Sequence, residues 1–291
     1  MKNATNRLAV VLVGVLVVLD GILWYFLTPL IRGNASFALD FLNIGQGDSE
    51  LMLLPYKSKI IKILIDAGPN AQVLSEIQKI VPPYDRYIDL VLLTHPQLDH
   101  FGGFIDLLKY YDVGFFLSNG RRGETKAYGD LVRTLQERHV RELTLGEGDR
   151  IRYGNYLLTL LGPSKKDIVS KELNDTCLVV KLEGAPVTVL YTGDIGANIE
   201  HELVQKYDLT ASVLKVGHHG SRFSSSQEFL EAVKPKMAVI EVGKNTYGHP
   251  TAEALSNLEG VGSKIFRTDK DGLIRVVAGE TKAQVFTERT R

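Results

Sequence analysis

Cysteine is almost absent from this 291-residue chain: the single Cys177 excludes an internal disulfide framework. It sits in the apolar run Cys177-Leu178-Val179-Val180 and reads as a small core residue. An excess of one charge is absent too, with 34 Lys and Arg against 34 Asp and Glu. No global field therefore draws the chain to nucleic acid, and any such attraction has to be local. Arg121-Arg122, Lys165-Lys166 and Lys244 are the candidates, each equally readable as a solvated loop. Internal repeats, low-complexity tracts and long linkers are also missing, which excludes solenoid, fibrous and disordered classes.

What is present is a concentration of histidine. Five of the seven histidines fall in three loops, each after an apolar strand-like run. Ile88 to Leu93 leads into Thr94-His95-Pro96-Gln97-Leu98-Asp99-His100, with Gly102-Gly103 behind it. Val213 to Gly217 leads into His218-His219-Gly220-Ser221, and Met237 to Gly243 leads into the loop ending at His249-Pro250. Between them Val187 to Tyr191 ends in Thr192-Gly193-Asp194. Imidazoles and carboxylates at strand ends are how an α/β protein presents a metal. The plainer reading of the first loop, a turn with a capping Asp and surface histidines, does not account for its echo in the later loops. His139 and His201 lie in charged helical contexts and read as solvated.

These motifs, together with Asp66 in Leu64-Ile65-Asp66-Ala67-Gly68, follow the order found in the metallo-β-lactamase superfamily, which the chain resembles. Phe41 to Ser49 (FLNIGQGDS), Asn174-Asp175-Thr176-Cys177-Leu178, the His-His-Gly-Ser loop with Ser224-Ser225-Ser226, and Tyr247-Gly248-His249-Pro250 look like its ComEC-type branch. That branch is the hydrolase domain of competence DNA-uptake proteins and of free-standing relatives. The likeness covers about residues 36 to 288. It implies an α/β fold, a metallo-β-lactamase-like αββα sandwich of two mixed sheets, holding one or two divalent ions, Zn or Mn. The expected ligands are His95, Gln97, Asp99, His100, Asp194 and His218. Gln97 stands where the His-x-His-x-Asp-His pattern has its second histidine, and an amide oxygen there tilts the site toward Mn²⁺. Asn174-Asp175 occupies the stretch of the family's intermediate histidine, so Asn174 and Asp66 are expected to brace the ligands.

The chemistry expected of such a site is hydrolysis by a metal-activated water. Asp99 orients the nucleophile, and His219 and His249 either complete the coordination, donate a proton, or only hydrogen-bond nearby. Ser221, Ser225, Asn245 and Tyr247 are candidate substrate contacts, with a helix N-terminus after Ser226 as a place for phosphate. Serine there can equally be a simple cap. Three functional classes remain: a phosphodiesterase or nuclease acting on DNA, including single-stranded DNA, or on another phosphodiester; a hydrolase of a β-lactam, thioester or lactone; and a non-catalytic metal- or nucleic-acid-binding domain with a degraded site.

Residues 1–35 read as a membrane anchor and tether, and residues 36–291 as the hydrolase domain. Leu8 to Leu27 is about 20 nearly unbroken apolar residues, enough for a transmembrane helix. Lys2 and Arg7 precede it and Trp24-Tyr25-Phe26 closes it, predicting a single-pass protein of the cell membrane with its catalytic domain extracytoplasmic. A cleaved signal peptide ending near Gly33-Asn34-Ala35 is the alternative. ComEC proteins pair this domain with a multi-span channel. One span alone implies a separate channel protein as partner. Periodicity predicts strands at 36–44, 49–54, 59–66, 88–94, 113–117, around 150–161, 176–183, 186–192, 211–217, 237–243, 264–267 and 272–277. Helices are predicted at 71–80, 102–110, 125–138, 197–206, 226–233 and 251–259.

Overall fold

The computed structural model describes residues 12–23, 36–278 and 283–289. The chain divides into two units, Met1–Ser36 and Phe37–Arg291. In the first, residues 12–23 are helical and exposed. The ends of the expected span over 8–27 lie outside the described residues. A helix over 12–23 alone rises roughly 18 Å, short of a hydrocarbon core of roughly 30 Å. Among the described residues no helix is long and apolar enough to cross a membrane, so the structure does not supply the expected transmembrane helix.

The second unit follows from strands that are apolar on both faces. In Leu51-Met52-Leu53-Leu54, Met52 and Leu54 enter one buried cluster while Leu51 and Leu53 enter another. A strand with both sides apolar has to be covered twice, by a second sheet and by helices. The first sheet runs β15 (Ala283–Thr287), β14 (Ile274–Ala278), β1 (Phe37–Phe41), β2 (Glu50–Tyr56), β3 (Lys59–Ile65), β4 (Tyr87–Leu93), β5 (Asp112–Ser118) and β6 (Arg141–Thr144). The second runs β13 (Lys264–Arg267), β12 (Met237–Ile240), β11 (Val213–Lys215), β10 (Val189–Tyr191), β9 (Val179–Glu183), β8 (Tyr156–Gly162) and β7 (Arg150–Tyr153). Both are mixed: β3 to β6 are parallel, as are β10 to β13, and the other pairs are antiparallel.

One apolar cluster lies between the sheets. A second joins the first sheet to α1 (Gln72–Gln78), α2 (Leu98–Tyr110) and α3 (Lys126–Glu137). A third joins the second sheet to α4 (Ala197–Lys206), α5 (Gln227–Val233) and α6 (Ala252–Gly260). This is the four-layer αββα sandwich. The stripe Phe101, Phe104, Leu107 and Leu108 fixes α2 on its sheet; each is fully buried, worth roughly 2 kcal/mol apiece.

Several elements differ from, or refine, the sequence expectation. Helix α2 begins at Leu98 rather than 102, so Asp99 and His100 ride in its first turn. The run at 150–161 is a hairpin, β7 and β8, turning at Gly154-Asn155. Strands β6 and β15 are additional; both are edge strands whose residues are mostly exposed and lack apolar alternation.

Candidate metal centre

All the histidine loops leave the C-terminal ends of parallel strands. Strand β3 delivers Asp66, β4 the loop Thr94 to His100, β10 Asp194, β11 His218 and His219, and β12 the segment from Glu241 to His249. Parallel strands end together, which is why residues far apart in sequence meet here.

Four of them offer ligand atoms within 4.8 Å of one another: Asp99, His100, Asp194 and His219. Asp194 Oδ2 lies 3.3 Å from His100 Nε2 and 3.6 Å from His219 Nε2, and Asp99 Oδ2 lies 3.4 Å from His219 Nε2. Each imidazole is aimed from behind. His100 Nδ1–H donates to Asp66 Oδ2 at 2.7 Å, and His219 Nδ1–H donates to the Glu241 carbonyl at 2.8 Å. Both Nε2 atoms are thereby turned toward the carboxylates, the orientation a metal needs. Asp66 also accepts from the Thr94 backbone N–H at 2.8 Å and the Thr94 hydroxyl at 2.6 Å, which ties the loop to the end of β3, and with Asp48 and His100 it forms a second group whose ligand atoms lie within 4.8 Å of one another.

The histidine pair is strained. His218 and His219 both have left-handed backbones, φ 48° and 54°, at a cost of about 1–2 kcal/mol each. That conformation sends the two rings apart. His219 enters the cluster. His218 is left outside it, 3.4 Å from the Asn174 amide nitrogen. Gln97 is also outside: its side-chain N–H donates to Asn174 Oδ1 at 2.5 Å, forming a polar wall Gln97–Asn174–His218. His95 is fully buried with its ring 4.2 Å from that of His100, and its Nε2 has no hydrogen-bond partner among the described residues.

Electrostatics bind the cluster together. Burial acts to raise Asp194 and Asp99, but the cationic neighbours His219 and His100 outweigh it and hold both carboxyls below the usual range. Burial acts to lower His219, but Asp194 and Asp48 outweigh it and hold its pKa up at about 10. At His95 burial and the charge on His100 outweigh the pull of Asp194, Asp99 and Asp48 and lower it to about 3.

Two residues given no role by the sequence reading complete the site. Lys215 is fully buried, its ammonium against Asp48 Oδ2, 2.9 Å from the Gly193 carbonyl and 3.7 Å from Asp194 Oδ1. Asp48 in turn lies 3.3 Å from His219 Nδ1. A lysine inside the apolar run Val213-Leu214-Lys215-Val216 was the signal available in the sequence.

The remaining candidates are placed as follows. His249 is half-buried at the rim, its ring 5.4 Å from that of His218 and its Nδ1 unpartnered among the described residues. Asn245 is spent on its own loop, donating to the Gly243 and His249 carbonyls and accepting from the Tyr247 and His249 N–H groups. Tyr247 is 74 % exposed. Ser221 is buried and accepts from the Phe223 N–H. The N–H groups of Ser225 and Ser226 donate to Glu200, and the Ser226 hydroxyl caps α5 by accepting from the Phe229 N–H, so these three N–H groups are already engaged.

A divalent cation fits the residues present. The donor set mixes two imidazoles with two carboxylates. His95 Nε2, His100 Nε2 and Asp194 Oδ1 are buried and without hydrogen-bond partners among the described residues, an arrangement otherwise costly. The cluster opens on a cavity of about 520 Å³ lined by Gln97, Asp99, Asn174, His218, His219, Tyr247 and His249 among others.

Residues 62–228 match the family model described as a β-lactamase superfamily domain. ComE operon protein 3 of Bacillus subtilis is 30% identical over 269 residues, covering 86% of this chain and 34% of its own. Competence protein ComA of Neisseria gonorrhoeae is 32% identical over 249 residues, 82% of this chain and 32% of its own. Recombination protein 2 of Haemophilus influenzae is 27% identical over 261 residues, 88% of this chain and 31% of its own. The chain thus spans about a third of the length of these relatives. Among solved structures, the metallo-β-lactamase fold protein YhfI from Bacillus subtilis superposes with TM-score 0.56 at 13% identity, covering 82% of this chain and 99% of that one. The diiron β-hydroxylase CmlA from Streptomyces venezuelae gives 0.53 at 12%, covering 84% and 54%. At such identities the likeness concerns the fold alone.

Proposed function

Since this chain belongs to the metallo-β-lactamase superfamily, with ComEC-type competence proteins among its relatives, we propose that it is a metal-dependent phosphodiesterase. The observation that carries this is the meeting of Asp99, His100, Asp194 and His219 at the floor of an open cavity. Relatives named for competence and recombination, processes that handle DNA, favour a phosphodiester over a β-lactam, thioester or lactone.

The four clustered residues would hold a divalent ion, Zn²⁺ or Mn²⁺, with His95 the next donor, while Gln97 is turned to Asn174. Such a cation lowers the pKa of water and neutralises charge developing on a phosphoryl oxygen. Asp99, with its side chain 32 % exposed, is the carboxylate of the cluster that lines the cavity, and its free oxygen accepts a hydrogen bond from the attacking water. Asp66 and Glu241 keep the His100 and His219 rings from rotating. His249, neutral at the rim because burial and the nearby His218 lower its pKa, offers an N–H to the phosphate or the leaving oxygen.

The test is Asp99→Ala in the full chain. Bound metal should fall, and hydrolysis of bis(p-nitrophenyl) phosphate should fall by about 100-fold or more, with the circular dichroism of the fold retained. Full metal content and full activity would overturn the assignment. Turnover of a β-lactam or thioester in preference to the diester would redirect it.

We also propose that Leu8–Leu27 attaches the protein to the cell membrane with the domain on the outer face, supported by the length of the run and by Lys2 and Arg7. Carbonate at high pH should leave the protein in the membrane fraction, and protease added outside should digest the domain. Release without detergent would exclude the anchor. Passage of DNA would then belong to a separate channel protein.

A further inference from the structure

Beside the metal cavity lies a second cleft of about 610 Å³, lined by Pro96, Arg121, Arg122, Glu124, Lys171 and Leu173 among others. The two cavities adjoin along two chain segments. Pro96 faces the cleft and Gln97 the metal cavity; Leu173 faces the cleft and Asn174 the metal cavity. The Gln97–Asn174 hydrogen bond is the low wall between them.

The cleft's basic side is tied to the metal loop. Buried Asn119 donates to the carbonyls of Thr94 at 3.1 Å and Thr176 at 2.6 Å, and accepts from the Arg121 backbone N–H at 2.7 Å. The Tyr128 hydroxyl donates to the Arg121 carbonyl at 3.2 Å. Arg121 and Arg122 are thus pinned beside the ligand-bearing segment, yet Arg122 and Lys171 are exposed and Arg121 is half-exposed. No carboxylate lies within ion-pair distance of the three among the described residues, and Glu124 is the one acid lining the cleft. The other basic pair differs: Lys166 is engaged with Glu202 at 2.5 Å, and its cavity also holds Glu147 and Asp149. In a chain with no net charge, three cations free of ion pairs against a single acid give this cleft a net positive local field.

We infer that this cleft holds the phosphate backbone of a single-stranded polynucleotide beyond its scissile phosphodiester, with Arg121, Arg122 and Lys171 as the phosphate contacts. This rests on the phosphodiesterase proposal. A single strand fits better than a duplex because Tyr247, 74 % exposed at the rim of the metal cavity, offers a stacking face to an unpaired base.

The experiment compares the full chain with Arg121→Gln/Arg122→Gln and, separately, Lys171→Gln. Lys236→Gln, ahead of β12 and so at the opposite end of the strands from the site, is the charge-loss control. Binding of labelled oligothymidylate is followed by anisotropy in chelator, and turnover of oligothymidylate is expressed relative to bis(p-nitrophenyl) phosphate, which carries no phosphate beyond the scissile one. The double variant should raise KM for oligothymidylate, lower that turnover ratio, and flatten the salt dependence of log K by about 1.4, two contacts at about 0.7 each. Lys236→Gln should do none of these. Unchanged oligothymidylate affinity and salt slope in both cleft variants would overturn the inference, as would tighter binding of a duplex. If the parent chain hydrolyses no diester, the proposed function falls while the anisotropy still decides the cleft.

Discussion

Lys215 shows how much of this site depends on a residue that touches no solvent. Its ammonium faces Asp48 and Asp194, whose combined pull outweighs burial and raises its pKa, while it helps hold both carboxyls ionised. Lys215→Met should destabilise the protein by about 3–5 kcal/mol in denaturant titrations, because a buried Asp48 is left uncompensated. Adding Asp48→Asn should recover part of that loss, and strict additivity of the two substitutions would show that they are not coupled. The partners were not legible together. Lys215 stands out within its apolar strand, but Asp48 lies 167 residues earlier and only the packing of the two sheets brings them into contact. The choice between His218 and His219 was equally hidden, since two adjacent left-handed residues point in directions that no periodicity encodes. The meeting of Asp99, His100 and Asp194 was legible because each lies in a loop that follows an apolar strand.

At the scale of elements, the first turn of α2 sets the metal loop, and it does so by close backbone contact. A Cβ on Gly103 would lie 2.0 Å from the Ala67 carbonyl oxygen, and one on Gly102 2.2 Å from that of Pro69. The helix presses against the segment carrying Asp66 only because both positions lack side chains. Gly103→Ala should therefore cost about 3 kcal/mol in thermal unfolding and weaken metal binding by moving Asp99 and His100 away from Asp194. Retained stability and affinity would mean that the contact yields easily. Tertiary packing carries the helix through Gly102-Gly103, which is why it begins at Leu98 rather than at the predicted 102. Strands β6 and β15 escaped notice for the opposite reason: their side chains are largely in solvent, so hydrogen bonding to a neighbour defines them rather than a pattern of apolar residues.

For the molecule as a whole, the family resemblance and the grouping of strands with helices between them made the four layers readable in advance, but not the buried acids among them. Burial, only partly offset by Arg275, raises Asp40 to about 7; burial and the Asp48 charge raise Glu50 to about 8. A carboxyl whose folded pKa lies above its unfolded value favours folding below the unfolded value, and that advantage is lost as pH rises through the folded one. Stability should thus decline from about pH 5 to about pH 8, and Asp40→Asn should lessen the decline by roughly 3 kcal/mol in urea midpoints. An identical slope in the variant would mean that Asp40 ionises in the folded protein as it does in the unfolded chain. The order of the first sheet has a consequence for biosynthesis. Strand β1 needs β14 as its outer neighbour, with Phe37 opposite Ala278. At about 5–20 residues per second, a ribosome delivers that neighbour only after an interval on the order of tens of seconds. Throughout it the nascent chain carries an open strand edge beside its earliest core, the kind of surface that captures a second unfinished chain or a chaperone.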